Sequence, residues 1–170
     1  MARIPLITSP EGLSEQQAAA YDWLITSRGR MLRPFEVLLH QPDLARSAGE
    51  LGATIRFATS VPDDDRELVI LATGRAHGCG FVWDSHLDSA RVAGVRPEAI
   101  QALEGGPGSL TAEEAELVAL VTALRATSQV PDDLFGSLHG RYGTAGFIEL
   151  TMTIGYYTML GYTMSACGAC

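Results

Sequence analysis

Residues 62–94 read PDDDRELVILATGRAHGCGFVWDSHLDSARVAG, and two consecutive helices are written into them. Taken alone, Leu68-Val69-Ile70-Leu71-Ala72 would serve equally as a buried strand. The Asp63-Asp64-Asp65 triplet behind Pro62 argues for a helix, because carboxylates in a first turn favour the positive end of the helix dipole. No alternating apolar and polar pattern of the kind that marks strands occurs anywhere else in the chain. After a break at Gly78 to Gly80, a second helix is expected from about Phe81 to Ala93, with Gly94 as its C-terminal cap.

Working outward, the neighbours give the same answer. Ser14-Glu15-Gln16-Gln17 and Thr111-Ala112-Glu113-Glu114 both have capping-box spacing, which predicts a helix to about Ser27 and a long helix through Leu117, Leu120, Val121 and Leu124. Pro34 and Pro42 suit first helical positions, and Leu44, Ala48, Leu51 and Ile55 fall at i, i+4, i+7 and i+11, which predicts an inward face. Pro97 to Leu103 reads as a short helix, and the remaining helical segments are Pro131 to Tyr142 and about Thr144 to Ala166. Arg66-Glu67-Leu68 is faintly echoed by Ile148-Glu149-Leu150. The expected class is all-α, in a single domain over residues 1–170.

Composition limits the chemistry. The 12 basic and 20 acidic residues give a net charge of −8, the wrong sign for gripping a nucleic acid or an anionic membrane. Every basic residue is Arg, so Schiff-base chemistry and a Lys-dependent phosphate loop are excluded. From Phe147 to Ala166 the only formal charge is Glu149, but four Thr, three Tyr and two Gly fit a helix buried by its own protein or a subunit better than a membrane span. The N-terminus has Pro5 and Pro10 and no run of signal-peptide length, and three cysteines cannot all pair internally, so a cytoplasmic location is expected.

Cys79, Val82 and His86 fall at i, i+3 and i+7, on one face of a helix that begins near the Cys. Free N–H groups at a helix start stabilise a thiolate, and a His two turns along can pass protons to a ligand over that face. Glu67 opens the preceding helix, and an antiparallel pair would turn its carboxylate toward the same place. From composition alone, an exposed first-turn carboxylate, a small buried hydrophobe and a core His are the favoured readings of the three. Phe81, Val82 and Trp83 are the candidate substrate contacts, although Phe81, Trp83, Tyr156 and Tyr157 also suit core or subunit packing. His40, His77 and His139 have no metal-ligand spacing, and no metal or cofactor is expected. Cys167-Gly168-Ala169-Cys170 forms a Cys-x-x-Cys at the C-terminus, and a frayed end with no following helix to lower a thiol pKa is favoured over a resolving thiol for Cys79 or a zinc site.

Several of these residues together resemble the carboxymuconolactone decarboxylase superfamily, which includes the alkylhydroperoxidase D-type enzymes. They are Gly29, Arg30, Pro34-Phe35, Leu38-Leu39-His40, Pro42, Leu44-Ala45 and Gly49, then Asp65 to Leu71, Gly80-Phe81-x-Trp83-x-x-His86 and Ala93-Gly94-Val95. The resemblance continues through Thr111 to Glu114, Phe135, Glu149-Leu150 and Gly155-Tyr156-Tyr157. It implies a homo-oligomer, commonly a trimer or hexamer, with pockets near subunit contacts and a small-molecule substrate. In the peroxidase branch it implies Glu67, Cys79 and His86 as a thiol centre with a proton relay, yet Val82 stands where the second Cys of that pattern falls. The expected function is therefore cofactor-free acid–base chemistry, decarboxylation or isomerisation, on a small organic acid or lactone. His86 would move the proton, Glu67 would orient it, and Cys79 would line the pocket. The alternatives are a thiol peroxidase using Cys79 and a non-catalytic ligand-binding oligomer.

Overall fold

The computed structural model describes residues 2–170, and every regular element among them is an α-helix, as the sequence predicts. In chain order they are α1 (Glu15–Arg28), α2 (Arg33–Leu38), α3 (Pro42–Phe57), α4 (Asp63–His77), α5 (Gly80–Ala93), α6 (Pro97–Leu103), α7 (Ala112–Thr127) and α8 (Asp132–Ala166). Two compact units result: the residues up to Ala58 together with Tyr162–Cys170, and Thr59–Gly161.

In the first unit, Ser14 and Gln17 form the reciprocal capping box that starts α1, and Gly29 ends it in the left-handed conformation. Ala20 and Leu24 of α1 share a core with Phe35, Leu39, Ala45 and Ala48. The inward face of α3 holds Ala48 and Ile55 as expected but not Leu44, which is 60% exposed; Ala45, Gly49 and Gly52 are the other buried positions. The reason is close approach. A Cβ at Gly49 would lie 2.6 Å from the Trp23 ring of α1, so α3 turns its small residues inward and leaves the bulkier Leu44 outside. Arg28 fastens the pair by donating to the Gly49 carbonyl at 2.6 Å.

The second unit is built around α4. Nine consecutive residues, Arg66 to Gly74, are buried, a pattern a helix shows only when neighbours cover it on all sides. α5, α6 and α7 pack against it, and Leu138, Leu150 and Ile154 of α8 join its core. Burying Arg66 requires partners, and its guanidinium pairs with Asp63 at 2.8 Å. Glu149 accepts from both the backbone N–H and the hydroxyl of Ser60 at 2.8 Å, which anchors the segment leading into α4. The echo between Glu67 and Glu149 thus covers two different tasks. α8 is interrupted at Gly143, whose φ of 67° and ψ of −177° separate the two segments read from the sequence. Among the described residues, no helix is long and apolar enough to cross a membrane.

Candidate functional site

The α4–α5 turn explains how the site residues are placed. Gly78 takes a left-handed cap at the end of α4, and Cys79, in extended conformation, becomes the N-cap of α5. The two helices then run back along each other closely: a Cβ at Gly74 would lie 2.9 Å from Val82 Cγ1 and 3.1 Å from the Trp83 backbone nitrogen. That approach carries Glu67 and His86 together.

His86 Nδ1 and Glu67 Oε2 are 2.8 Å apart, and both side chains are buried. A carboxylate oxygen accepts, so Nδ1 carries the proton and donates to Glu67. The Tyr157 ring stands nearly perpendicular to the imidazole, 85° between planes and 4.9 Å between centroids, and Tyr156 packs in the same way on Tyr157. The imidazole is therefore fixed by a hydrogen bond and by a ring contact. Sequence reasoning left Tyr157 undecided between core and pocket, because nothing local marks a residue of α8 as the neighbour of one in α5.

Cys79 is 1% exposed. It lies seven residues before His86 on one helix, a rise of about 10 Å, so the imidazole does not reach the sulfur directly. Cys167 is a free thiol and half-buried. Val82 is packed on Gly74, and Trp83 belongs to the core with Leu68, Leu71 and Ala72 while the Arg75 guanidinium covers its ring. Phe81 is half-buried.

The other histidines are held by local hydrogen bonds, His40 to the Pro5 carbonyl, His77 to Thr158 and His139 to Thr144. Burial, with the positive charge of Arg125 adding to it, lowers the pKa of His77 below the ordinary 6.5. A surface hollow between the starts of α4 and α7, lined by Asp64, Asp65, Arg96, Glu113 and Glu114, contains none of Glu67, Cys79 and His86. Two of its charges are already engaged: Glu114 closes the Thr111 capping box and takes a two-pronged hydrogen bond from Arg96, which holds its carboxyl below the usual range.

Residues 42–120 match the model of the carboxymuconolactone decarboxylase family. In fold the chain is similar to the crystal structure of an alkylhydroperoxidase AhpD core, an uncharacterized peroxidase-related protein from Ralstonia eutropha JMP134. The TM-score is 0.78 at 16% identity, covering 99% of this chain and 91% of that one. An uncharacterized peroxidase-related protein from Silicibacter sp. TM1040 is similar at a TM-score of 0.77 and 12% identity, with the same coverage of both chains. At these identities the likeness is one of fold. No curated protein matches the chain.

Proposed function

We propose that this chain, of which residues 42–120 match the carboxymuconolactone decarboxylase family, performs cofactor-free acid–base chemistry on a small organic acid or lactone. The observation that carries this reading is the buried hydrogen bond between Glu67 and His86. Glu67 fixes the tautomer that leaves Nε2 as base, and it stabilises the imidazolium formed when that nitrogen takes a proton. In a decarboxylation, the C–C bond to the carboxylate breaks, carbon dioxide leaves, and the electron pair moves into the conjugated lactone carbonyl. The imidazolium, formed when Nε2 took the proton of the substrate's own carboxylic acid before the bond broke, then returns that proton to the carbon. The thiol takes no part in these steps, and its distance of two helical turns from His86 agrees with that.

The test is carbon dioxide release from carboxymuconolactone and related small lactone acids. His86→Ala should lower turnover roughly 10²-fold or more, the scale of a positioned proton-transfer group, and Cys79→Ser should leave it nearly unchanged. Wild-type turnover that survives in His86→Ala, or no turnover on any of these acids, would sink the proposal.

A second reading has its own observation. Cys79 is the N-cap of α5, beside the free N–H groups of its first turn, where a thiolate is stabilised, and the thiol peroxidase alternative uses that thiol. Cys79-dependent consumption of a hydroperoxide by the purified chain is its test; equal consumption by Cys79→Ser removes it.

A further inference from the structure

The hydrogen bond from His86 Nδ1 to Glu67 fixes one corner of the imidazole and leaves its plane free to rock. An N–H···O bond keeps most of its strength within about 30° of linear, and the imidazole torsion about Cβ–Cγ is broad. The Tyr157 ring removes that freedom. It stands at 85° to the imidazole with 4.9 Å between centroids, and the Tyr156 ring stands at 88° to Tyr157 in turn. All three rings are buried. The segment of α8 that carries Tyr157 is itself pinned on either side: Glu149 accepts from Ser60 ahead of α4, and Thr158 lies in hydrogen-bond contact with His77 Nε2 at the end of α4, 2.8 Å away. Glu67, His86, Tyr156 and Tyr157 all belong to the unit Thr59–Gly161.

We propose that Tyr157 is the positioning residue of the proton-transfer centre: its ring sets the plane of the His86 imidazole, and with it the direction in which Nε2 points, while Glu67 sets the tautomer. This role rests on the acid–base reading of His86 and adds to it a residue that acts through His86 rather than on the substrate. A base reaches its full rate only when its lone pair meets the proton in line, and a displacement of about 1 Å can cost on the order of 10²-fold. Rocking about Cβ–Cγ swings the Nε2 lone pair off any one line. Without the Tyr157 ring the site would hold a base of the right tautomer aimed in several directions. With it, one tilt is favoured, because the perpendicular arrangement is among those that the quadrupoles of two aromatic rings prefer. Tyr157 thus works by the shape and charge distribution of its ring, and a phenylalanine ring should replace it.

Substitutions at Tyr157 separate ring, hydroxyl and packing. Tyr157→Phe keeps the ring, Tyr157→Met fills much of the same space without one, and Tyr157→Leu is a second ring-free variant should the first not fold. In carbon dioxide release from small lactone acids, Tyr157→Phe should stay within about 3-fold of wild type, whereas the ring-free variants should lose roughly 10-fold or more in kcat with KM changed by less than about 3-fold. Proton–nitrogen correlation spectra of the imidazole give a readout independent of turnover. Wild type and Tyr157→Phe should show one set of His86 signals with Nδ1 protonated, and a ring-free variant should show them broadened or doubled, with the Nδ1 proton exchanging faster. Two exchanging His86 orientations in wild type, a Tyr157→Phe variant as impaired as Tyr157→Met, or a folded ring-free variant with wild-type His86 signals would overturn the assignment. The reading beneath it fails differently, through a wild type that turns over none of these acids, and the imidazole signals then still decide whether Tyr157 holds the ring.

Discussion

Asp65 and His77 stand at opposite ends of α4, and burial works on them in opposite senses. Around Asp65 the loss of water disfavours the carboxylate and raises its pKa above 3.8, against the pull of the Tyr142 hydroxyl that donates to it at 2.7 Å. The same burial and the same hydrogen bond push the Tyr142 phenol up to about 12, so it remains a donor throughout the physiological range. For His77, burial and then Arg125 disfavour the imidazolium. A histidine whose folded pKa is depressed contributes stability above its unfolded pKa of 6.5 and loses it as pH falls through the folded value, because the unfolded chain then binds more protons. His77→Gln, which can still hydrogen-bond Thr158, should therefore decline less than wild type when thermal melts are compared from about pH 7.5 to about pH 5.5. Parallel declines would show that His77 does not titrate in that window. The sequence offered His77 as one of several scattered histidines. Its burial depends on α8 lying over the end of α4, which no local pattern records.

Two glycines show what kept parts of the elements illegible. Gly74 is required by its surroundings, since its missing Cβ is the space that Val82 and the Trp83 backbone occupy; Gly49 has the same relation to Trp23. Small residues of this kind are invisible to a search for large apolar periodicity, which is why the inward face of α3, correct at Ala48 and Ile55, was read to include Leu44 and to miss Ala45, Gly49 and Gly52. Gly143 is required by its backbone alone. A Cβ there would meet nothing within 4 Å, but a φ of 67° with a ψ of −177° lies in a region open to glycine and strained for any other residue. Gly143→Ala should thus destabilise the protein by about 1–3 kcal/mol through strain rather than through a clash. Denaturant unfolding measures this, and a loss within error of zero would mean that the break in α8 relaxes into continuous helix at no cost. By contrast, capping boxes, first-turn carboxylates and left-handed glycine caps were legible, since each is a contact or conformation within four residues of chain. The Glu67–His86 pair was legible to the extent that its helices follow each other directly; its third neighbour, Tyr157, comes from a distant part of the sequence.

For the whole molecule, the remaining question is what covers α8. Its Leu150, Ile154, Tyr157 and Leu160 are buried, whereas Ile148, Met152 and Met159 are 55%, 45% and 42% exposed, and Gly155 between them is exposed too. These four fall at i, i+4, i+7 and i+11, one stripe along a single helix face, where isolated exposed apolar residues would show no such spacing. The composition of this segment suggested burial on every side, and the family resemblance implies a homo-oligomer. A second copy packed on the stripe would satisfy both. Light scattering at micromolar concentration should then give wild type a multiple of the 18.1 kDa chain mass. Met152→Asp would place an unpaired carboxylate at the centre of the contact, where losing its water costs more than the lost apolar burial, and should shift the mass to that of one chain. Because Met152 is exposed and lies outside the core, circular dichroism of the variant should stay helical, which separates a split assembly from an unfolded chain. A wild-type mass of one chain, or an unchanged assembly in the helical variant, would show that this face of α8 is not where the copies meet.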